Sequence, residues 1–231
     1  MTTISVIIPT LNEEQALGQT LANLPSSLVL EIILVDGGST DHTQTVANAF
    51  CTATPNARII RAPTGRARQM NEGAKASRGA VLLFLHADTQ VPNDAPRIIE
   101  SALTDPALVG GRFDVRFDTY SGWGRLISTF MNWRSRTSGI ATGDQGIFVR
   151  RHTFEQLGGF ADIPLMEDID FSRRLKRAGS TVALRQTVRT SFRRWEQQGP
   201  LQTILLMWTL RFLYWVGVTP HQLANWYQTV R

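Results

Sequence analysis

Hydrophobic and polar residues alternate in blocks along the first ninety positions. Short apolar runs, rich in β-branched residues, occupy 4–9, 31–35, 58–61 and 80–85. Polar segments with apolar residues at helical spacing separate them and predict helices near 13–24, 43–50 and 66–77. This alternation predicts an α/β fold with a mostly parallel central sheet flanked by helices. Ligands of such sheets bind beyond the carboxyl ends of the strands.

Side chains in the turns indicate where the first helices begin. Asn12 is the predicted N-cap of the first helix, with Glu13 in the first turn, where the helix dipole stabilises acidic groups. Asp41 suits either the N-cap of the second helix or a functional role. Asp36 follows strand two, and the turn His86-Ala87-Asp88 follows strand four. Because the carboxyl ends of parallel strands meet at one edge of the sheet, Asp36 and Asp88 are expected to face one crevice.

The second half follows a different pattern. Alternating apolar positions at 113–117 predict a half-exposed strand, 146–149 a further strand, and 168–178 a charged helix ending at Gly179. Helix 123–131 is expected to carry its apolar residues on one face: Trp123, Leu126, Ile127, Phe130 and Met131. No repeat or linker divides the chain, so we expect one domain over 1–198 and an apolar helical extension over 199–231.

The extension contains a long apolar stretch at 200–218, in which Arg211 is the only charge. The stretch is just long enough to span a membrane, but a central arginine would be costly there. Its aromatic content favours an interfacial or oligomer-burying helix. A helix packed in the core and a true spanning helix are the alternatives.

Composition limits the classes of partner. The 231 residues include 24 Lys and Arg against 19 Asp and Glu, and the net charge of +5 favours anionic partners. The basic residues form no tail and no nucleic-acid-binding motif, so nucleic acid is not expected. Cys51 is the only cysteine, which excludes an internal disulfide and fits a reducing compartment. The start of the chain lacks a signal-peptide pattern, so we expect a cytoplasmic protein, at the inner face of the membrane if the apolar helix binds it.

Five segments occur in an order and spacing that resemble a known family. They are SVIIPTLNEE, EIILVDGGSTDHT, FLHADT, GGFADIPLMEDIDFSRRLKRAG and RRW. Together they resemble a family 2 glycosyltransferase of the GT-A (nucleotide-diphospho-sugar transferase) fold, over about residues 4–195. LHADT, GDQGIFVRR and MEDIDFSRRL further resemble the small bacterial branch labelled arsenosugar-biosynthesis glycosyltransferases.

The resemblance implies a nucleotide site at the ends of the first two strands. Pro9, Thr10 and Glu13 would line the nucleotide, and Asp36 would contact the uracil or the ribose. Carboxylates accept hydrogen bonds from ribose hydroxyls and from base N–H groups, which suits this role. The alternatives are a helix-dipole partner for Glu13 and a turn-forming aspartate at Asp36.

Basic and aromatic residues further along the chain match donor-binding positions of the family. Arg66 and Arg68 would approach the donor diphosphate, because the guanidinium group binds phosphate oxygens bidentately. Two solvated arginines are the alternative. Arg194 would neutralise the leaving diphosphate and Trp195 would stack on the acceptor or the wall of the site.

The turn His86-Ala87-Asp88 matches the family's Asp-x-Asp motif, with histidine in the first position. The resemblance implies that Asp88 helps to hold a divalent metal bridging the two phosphates; a strand-end cap is the alternative. Imidazole and carboxylate together suit Mn²⁺ better than Mg²⁺. His86 is therefore either a second metal ligand or a hydrogen-bonding partner of the donor sugar.

Glu167, Asp168 and Asp170 lie together at a predicted helix start. The resemblance assigns the general base to Asp168 and a supporting role to Glu167. The alternative is an acidic first turn paired with Arg173 and Arg174 on the same helix.

These observations predict an inverting glycosyltransferase that moves a hexose from a UDP-sugar to an acceptor hydroxyl. The acceptor would be a small molecule or lipid-like, and the C-terminal helix would contact a membrane surface or a second copy of the chain. A sugar nucleotidyltransferase is one alternative, although residues 10–14 lack the Gly-rich basic loop of those enzymes. A non-catalytic nucleotide-binding module docked at a membrane is the other, although Asp88, Glu167 and Asp168 are intact.

Overall fold

The computed structural model describes residues 2–230, apart from the side chains of 194 and 228–230. Eight strands occur in this range: β1 Ile4–Thr10, β2 Glu31–Asp36, β3 Ala57–Arg61, β4 Val81–Phe84, β5 Thr89–Gln90, β6 Leu108–Phe117, β7 Ile147–Arg150 and β8 Ser180–Thr190. They form one sheet in the order β3-β2-β1-β4-β7-β6-β8-β5.

The described range also contains ten α-helices. They are α1 Glu14–Ala22, α2 Thr43–Ala53, α3 Arg66–Ala76, α4 Ala95–Ala102, α5 Gly122–Ser138, α6 Arg151–Gln156, α7 Glu167–Ala178, α8 Arg193–Gln198, α9 Pro200–Trp215 and α10 Pro220–Val230. A short 3-10 turn at Gly143–Gln145 precedes β7.

The first four long strands are parallel neighbours, as the sequence predicts. β1 pairs with β2 and β4, and β2 pairs with β3, all in parallel. The second half of the sheet is mixed, because β7 runs antiparallel to β4 and β6 while β6 and β8 are parallel. The carboxyl ends of β1, β2 and β4 therefore open at one edge, where their loops meet the turn before β7.

Apolar residues cover both faces of the sheet. On β1, Ile8 packs in the cluster that includes Leu17 of α1, while Ile7 packs in the opposite cluster with Phe171 of α7. Burial on both faces explains why the strands are continuously apolar rather than alternating. The sheet is thus a rigid support for the loops at its edge.

The predicted N-cap at Asn12 is wrong. Helix α1 begins at Glu14, and Asn12 has a φ of 54°, the left-handed conformation that asparagine tolerates better than most residues. The Asn12 Oδ1 accepts a hydrogen bond from the Thr40 N–H at 2.9 Å. Asn12 therefore joins the β1–α1 and β2–α2 loops instead of capping a helix.

Helix α9 has one packed face and one exposed face. Leu210 packs with Met166 and Ile169 at the start of α7 and with Leu223 of α10. The exposed face carries an apolar stripe at intervals of four and three residues, the α9 stripe: Leu201, Leu205, Trp208, Phe212 and Trp215. Within residues 2–230, no helix is long and apolar enough to cross a membrane.

Helix α5 carries a similar exposed stripe. Trp123, Leu126, Phe130 and Trp133, the α5 stripe, are all exposed, whereas Ile127 is buried against Phe117 and Phe192. The expectation that α5 presents one apolar face is therefore only partly right, since its apolar residues are divided between the core and the surface. Ile204 of α9 packs against the same buried cluster, which brings α5 and α9 together.

Candidate active site

A small pocket lies where α3 and α7 begin, beyond the end of β4. Residues from four separate segments line it, and these include Arg66, His86, Gly143, Glu167 and Asp168. The structure therefore brings both predicted catalytic acids into one site with Arg66 and His86.

Glu167 is a buried carboxylate held by an arginine. Met166, just before α7, has a φ of 70°, and Glu167 follows it into the interior. Arg66 Nη1 lies 3.2 Å from Glu167 Oε1. Burial raises the pKa of Glu167 and the charge of Asp168 adds to this, while Arg66 opposes it. The pair gives the pocket one fixed cation and one carboxylate that protonates more readily than usual.

Asp168 is oriented by a backbone amide from a distant segment. Its Oδ2 accepts a hydrogen bond from the Gly143 N–H at 2.9 Å. The alternative pairing with arginines of the same helix holds for Asp170, which pairs with Arg174 at 2.7 Å, whereas Glu167 pairs with Arg66 and Arg173 lies over the Tyr214 ring. Asp168 thus remains directed toward the pocket.

His86 lines the same pocket as Glu167 and Asp168 and contacts Asp144. Its Nδ1 is 3.0 Å from Asp144 Oδ1, and its Nε2 is buried with no hydrogen-bond partner among residues 2–230. A Cβ atom at Gly143 would collide with the imidazole ring, so only glycine fits at that position. Gly143 therefore has two roles, since its N–H orients Asp168 and its missing side chain admits His86.

Asp88 lines a more open cleft beside this pocket. The cleft also contains Gln15 of α1, Arg189 and Arg193. Arg193 Nη2 approaches Glu13 Oε2 at 3.5 Å. Burial raises the pKa of Glu13, and Asp88 raises it further, which places these two carboxyl groups near each other. The sequence drew attention to Arg194 and Trp195; the described arginines of the cleft are Arg189 and Arg193.

Asp36 is buried and shapes a turn. Its carboxylate accepts hydrogen bonds from the N–H groups of Gly38 and Ser39 and from Gln44 Nε2 at 2.9–3.2 Å. This geometry matches the turn-forming alternative, so a contact with the nucleotide stays a prediction. Asp41 Oδ1 accepts a hydrogen bond from the Thr43 N–H at the start of α2, but the N-cap of this helix is His42, one residue after the predicted position.

Gln69 is a site-forming residue that the sequence did not reveal. Its Nε2 donates to the carbonyl oxygens of Thr10 and Val35, each at 2.8 Å, and so joins the ends of β1 and β2. Thr10 is buried, with its Oγ1 directed at the Val35 oxygen, and Pro9 is half-buried beside it. Glutamine at a helical position carries no signal of such a role in a single sequence.

The remaining predicted donor-binding residues lie elsewhere or outside the described side chains. Arg68 Nε pairs with Asp162 Oδ1 at 2.8 Å, and both side chains are more than half exposed, which matches the solvated alternative. Trp195 packs against the rings of Phe117 and Phe192. The side chain of Arg194 lies outside the described residues.

The residues present fit a metal only if the substrate completes the site. Within residues 2–230, no group of three or more His, Cys, Asp or Glu could hold a metal ion. Asp88 offers a partly exposed carboxylate in the cleft. Divalent metals in sites that handle phosphates are commonly held by one or two carboxylates together with phosphate oxygens. Such a site would use Asp88, and the role of His86 as a second ligand stays a prediction.

Solved structures with the same fold are glycosyltransferases. The mannosyltransferase PcManGT from Pyrobaculum calidifontis, solved with GDP-Man and Mn²⁺, matches 81% of this chain and 56% of its own, with a TM-score of 0.66 and 20% identity. S. aureus TarS 1–349, solved with UDP-GlcNAc, matches 82% of this chain and 58% of its own, with a TM-score of 0.64 and 17% identity. The fold is therefore that of the GT-A glycosyltransferases.

Proteins related to this chain in sequence are also named as sugar transferases. The undecaprenyl-phosphate 4-deoxy-4-formamido-L-arabinose transferase of Pseudomonas paraeruginosa is 32% identical over 64% of this chain and 46% of its own. The glycosyltransferase AglE of Haloferax volcanii is 27% identical over 80% of this chain and 65% of its own. The chain thus spans about half to two thirds of the length of these relatives. Residues 5–158 match the profile of Glycosyl transferase family 2, and the chain belongs to this family.

Proposed function

We propose that the protein is an inverting glycosyltransferase that moves a hexose from a UDP-sugar to an oxygen of the acceptor. The observation that carries the proposal is the position of Asp168. This carboxylate is oriented by the Gly143 N–H in a pocket that also holds the Arg66–Glu167 pair and His86. A sugar nucleotidyltransferase has no comparable support, since the chain belongs to a family of glycosyltransferases.

Asp168 acts as the general base. It takes the proton from the acceptor O–H as that oxygen forms a bond to the anomeric carbon of the donor. The bond between the anomeric carbon and the diphosphate oxygen breaks at the same time, and its electron pair leaves with UDP. A positioned base of this kind contributes roughly 10²–10⁴-fold to the rate.

The leaving diphosphate binds in the cleft beside the pocket. Asp88 would hold a divalent metal together with the phosphate oxygens, and such a metal would stabilise the charge of the departing group. Mn²⁺ is preferred over Mg²⁺ if His86 joins Asp88 as a ligand. Arg193 faces the same cleft and offers a cation to the phosphates. Glu13 lies next to Arg193 and holds its side chain toward the donor.

The acceptor is lipid-like, and the protein binds a membrane surface. The Pseudomonas relatives carry names that describe transfer to undecaprenyl phosphate, a lipid. The α5 and α9 stripes expose tryptophan and phenylalanine side chains, which suit the interface between water and lipid. A homodimer through α9 is the competing use of the same surface.

Substitution of the base tests this function. Asp168→Asn is expected to bind UDP with an affinity within about twofold of the parent, measured by calorimetry. With the UDP-sugar that the parent turns over, the variant should release UDP at least about 10²-fold more slowly. Asp170→Asn is the matched control, because Asp170 lies two residues along the same helix and pairs with Arg174. Full turnover by the Asp168→Asn variant would show that Asp168 is not the base.

A further inference from the structure

We infer that Arg134 and Arg211 form a binding site for the phosphate group of a lipid phosphate acceptor, next to Asp168. The inference rests on the proposed function and adds the chemical class of the acceptor. Neither arginine belongs to a motif that the resemblance singled out. Arg134 lies in α5 and Arg211 in α9, two helices outside the segments that hold the donor.

The packing of α9 brings Arg211 to the active site. Leu210, its neighbour in sequence, is buried against Met166 and Ile169, the residues that flank the catalytic acids on α7. Ile140, which follows the end of α5, packs against the same cluster. The ends of both helices are therefore fixed against the first turn of α7, where Asp168 is located.

Arg134 has donors that the protein leaves unpaired. Its Nε and Nη2 atoms are buried and have no hydrogen-bond partner among residues 2–230. Buried N–H groups without a partner are costly, so the unpaired guanidinium donors of Arg134 call for an acceptor such as an anion. Nε and Nη2 lie on the same edge of the guanidinium plane, which is the edge that binds two oxygens of one phosphate.

The two arginines lie close enough to repel each other. Burial and the neighbouring charge of Arg211 together lower the pKa of Arg134 to about 10, while Asp168 and Asp144 act in the opposite direction. Burial also lowers the pKa of Arg211, again against Asp168 and Asp144. Two partly buried cations side by side are stabilised by an anion of two charges, which a phosphate monoester provides.

The location favours the acceptor over the donor diphosphate. The carboxylates that act on Arg134 and Arg211 are Asp168 and Asp144. The donor cleft is instead defined by Asp88, with Glu13 and Arg193 next to it. A phosphate held by the two arginines would therefore lie beside Asp168, the proposed base, rather than in the cleft that contains Asp88.

The surroundings favour a lipid phosphate over free phosphate. Trp133 of the α5 stripe directly precedes Arg134, and Phe212 of the α9 stripe directly follows Arg211; both are exposed. A hydrocarbon chain attached to the bound phosphate therefore has an apolar surface along which to leave the site. In the reaction, a phosphate oxygen forms the bond to the anomeric carbon as the bond between that carbon and the diphosphate oxygen breaks, and UDP leaves with the electron pair. A phosphate that arrives as the monoanion gives its P–OH proton to Asp168, and the dianion has no proton to lose.

Direct binding tests the site without need of the donor sugar. Farnesyl phosphate, farnesol and inorganic phosphate would be titrated into the full chain in detergent micelles by calorimetry. We expect farnesyl phosphate to bind, farnesol to bind at least about tenfold more weakly, and inorganic phosphate to compete weakly. Equal binding of farnesyl phosphate and farnesol would overturn the inference, and binding of inorganic phosphate alone would show a site for free phosphate.

Variants locate the binding site. Arg134→Gln and Arg211→Gln are each expected to weaken the binding of farnesyl phosphate at least about tenfold and to leave the affinity for UDP unchanged. Arg125→Gln, an exposed arginine on α5, is the control for loss of charge. Arg134→Lys keeps the charge but not the two-pronged geometry and is expected to weaken binding as well.

The site is refuted if the folded Gln variants bind farnesyl phosphate with an affinity within twofold of the parent. An equal loss of UDP affinity would reassign the two arginines to donor binding. If farnesyl phosphate binds as expected but no UDP-sugar is turned over, only the proposed function fails.

Discussion

Arg66 and Glu167 are separated by 101 positions in the chain, and the structure places Arg66 Nη1 3.2 Å from Glu167 Oε1. The contact joins the first turn of α3 to the first turn of α7, the helix that carries the proposed base Asp168. Glu167 is almost fully buried, and its pKa is raised because burial outweighs the attraction of Arg66. The pair therefore responds to pH.

The raised pKa of Glu167 makes stability fall as pH rises. Between the ordinary value of 4.5 and the raised value, the folded state binds more protons than the unfolded state, so the free energy of unfolding decreases with pH. The slope is at most about 1.4 kcal/mol per pH unit. Urea denaturation at a series of pH values should show this decrease relative to Glu167→Gln. A constant difference between the two proteins across the acidic range would contradict it.

Gly143→Ala should impair catalysis without removing any reactive group. The new methyl group collides with the His86 ring, and relief of that collision moves either His86 or the amide that orients Asp168. We expect a fall of about 10²-fold in kcat/KM, the order produced by misplacing a catalytic group by about 1 Å. Gly122→Ala is the control, because nothing lies within 4 Å of a Cβ atom there. Equal activity of the two variants would mean that the close approach has no catalytic role.

Removal of the metal should stop sugar transfer and weaken binding of the UDP-sugar donor. EDTA is expected to abolish UDP release, and Mn²⁺ to restore it more fully than Mg²⁺. Asp88→Asn should reproduce the loss even in excess Mn²⁺, because the carboxylate is then missing. Asp94→Asn, an exposed acid nearby in sequence, should behave as the parent protein. Retained Mn²⁺ dependence in Asp88→Asn would assign the metal to other ligands.

The α9 stripe should control membrane binding. Trp208 and Trp215 are 69% and 70% exposed. If each inserts about 100 Å² into lipid, the gain is about 2.5 kcal/mol for each tryptophan at ~25 cal/mol per Å². The double substitution to Gln should weaken sedimentation with anionic vesicles more than about tenfold. Trp226→Gln, off the stripe, is the control. Unchanged vesicle binding together with loss of a dimer in light scattering would show that the stripe joins two copies.

Local patterns were sufficient for the elements that the sequence predicts correctly. The apolar runs ending at Pro9 and Asp36 become the first two strands, since continuous burial on both faces leaves a signal that depends only on neighbouring residues. The acidic helix start at Glu167 was visible for the same reason. The boundary at Asn12 was not, because its side chain bonds to Thr40 in another loop.

The sequence by itself determined the class of fold, the family and the segments that carry acids. The tertiary structure decided which side chains meet: Asp168 with the Gly143 amide, Arg66 with Glu167, and Arg189 and Arg193, not Arg68, in the cleft that contains Asp88. The physical reason is that periodicity reports the burial of each residue separately. A contact across 25 or 101 positions depends on strand order and on the angle at which helices cross the sheet. The same holds for Arg134 and Arg211, whose proximity arises only when α5 and α9 pack against α7.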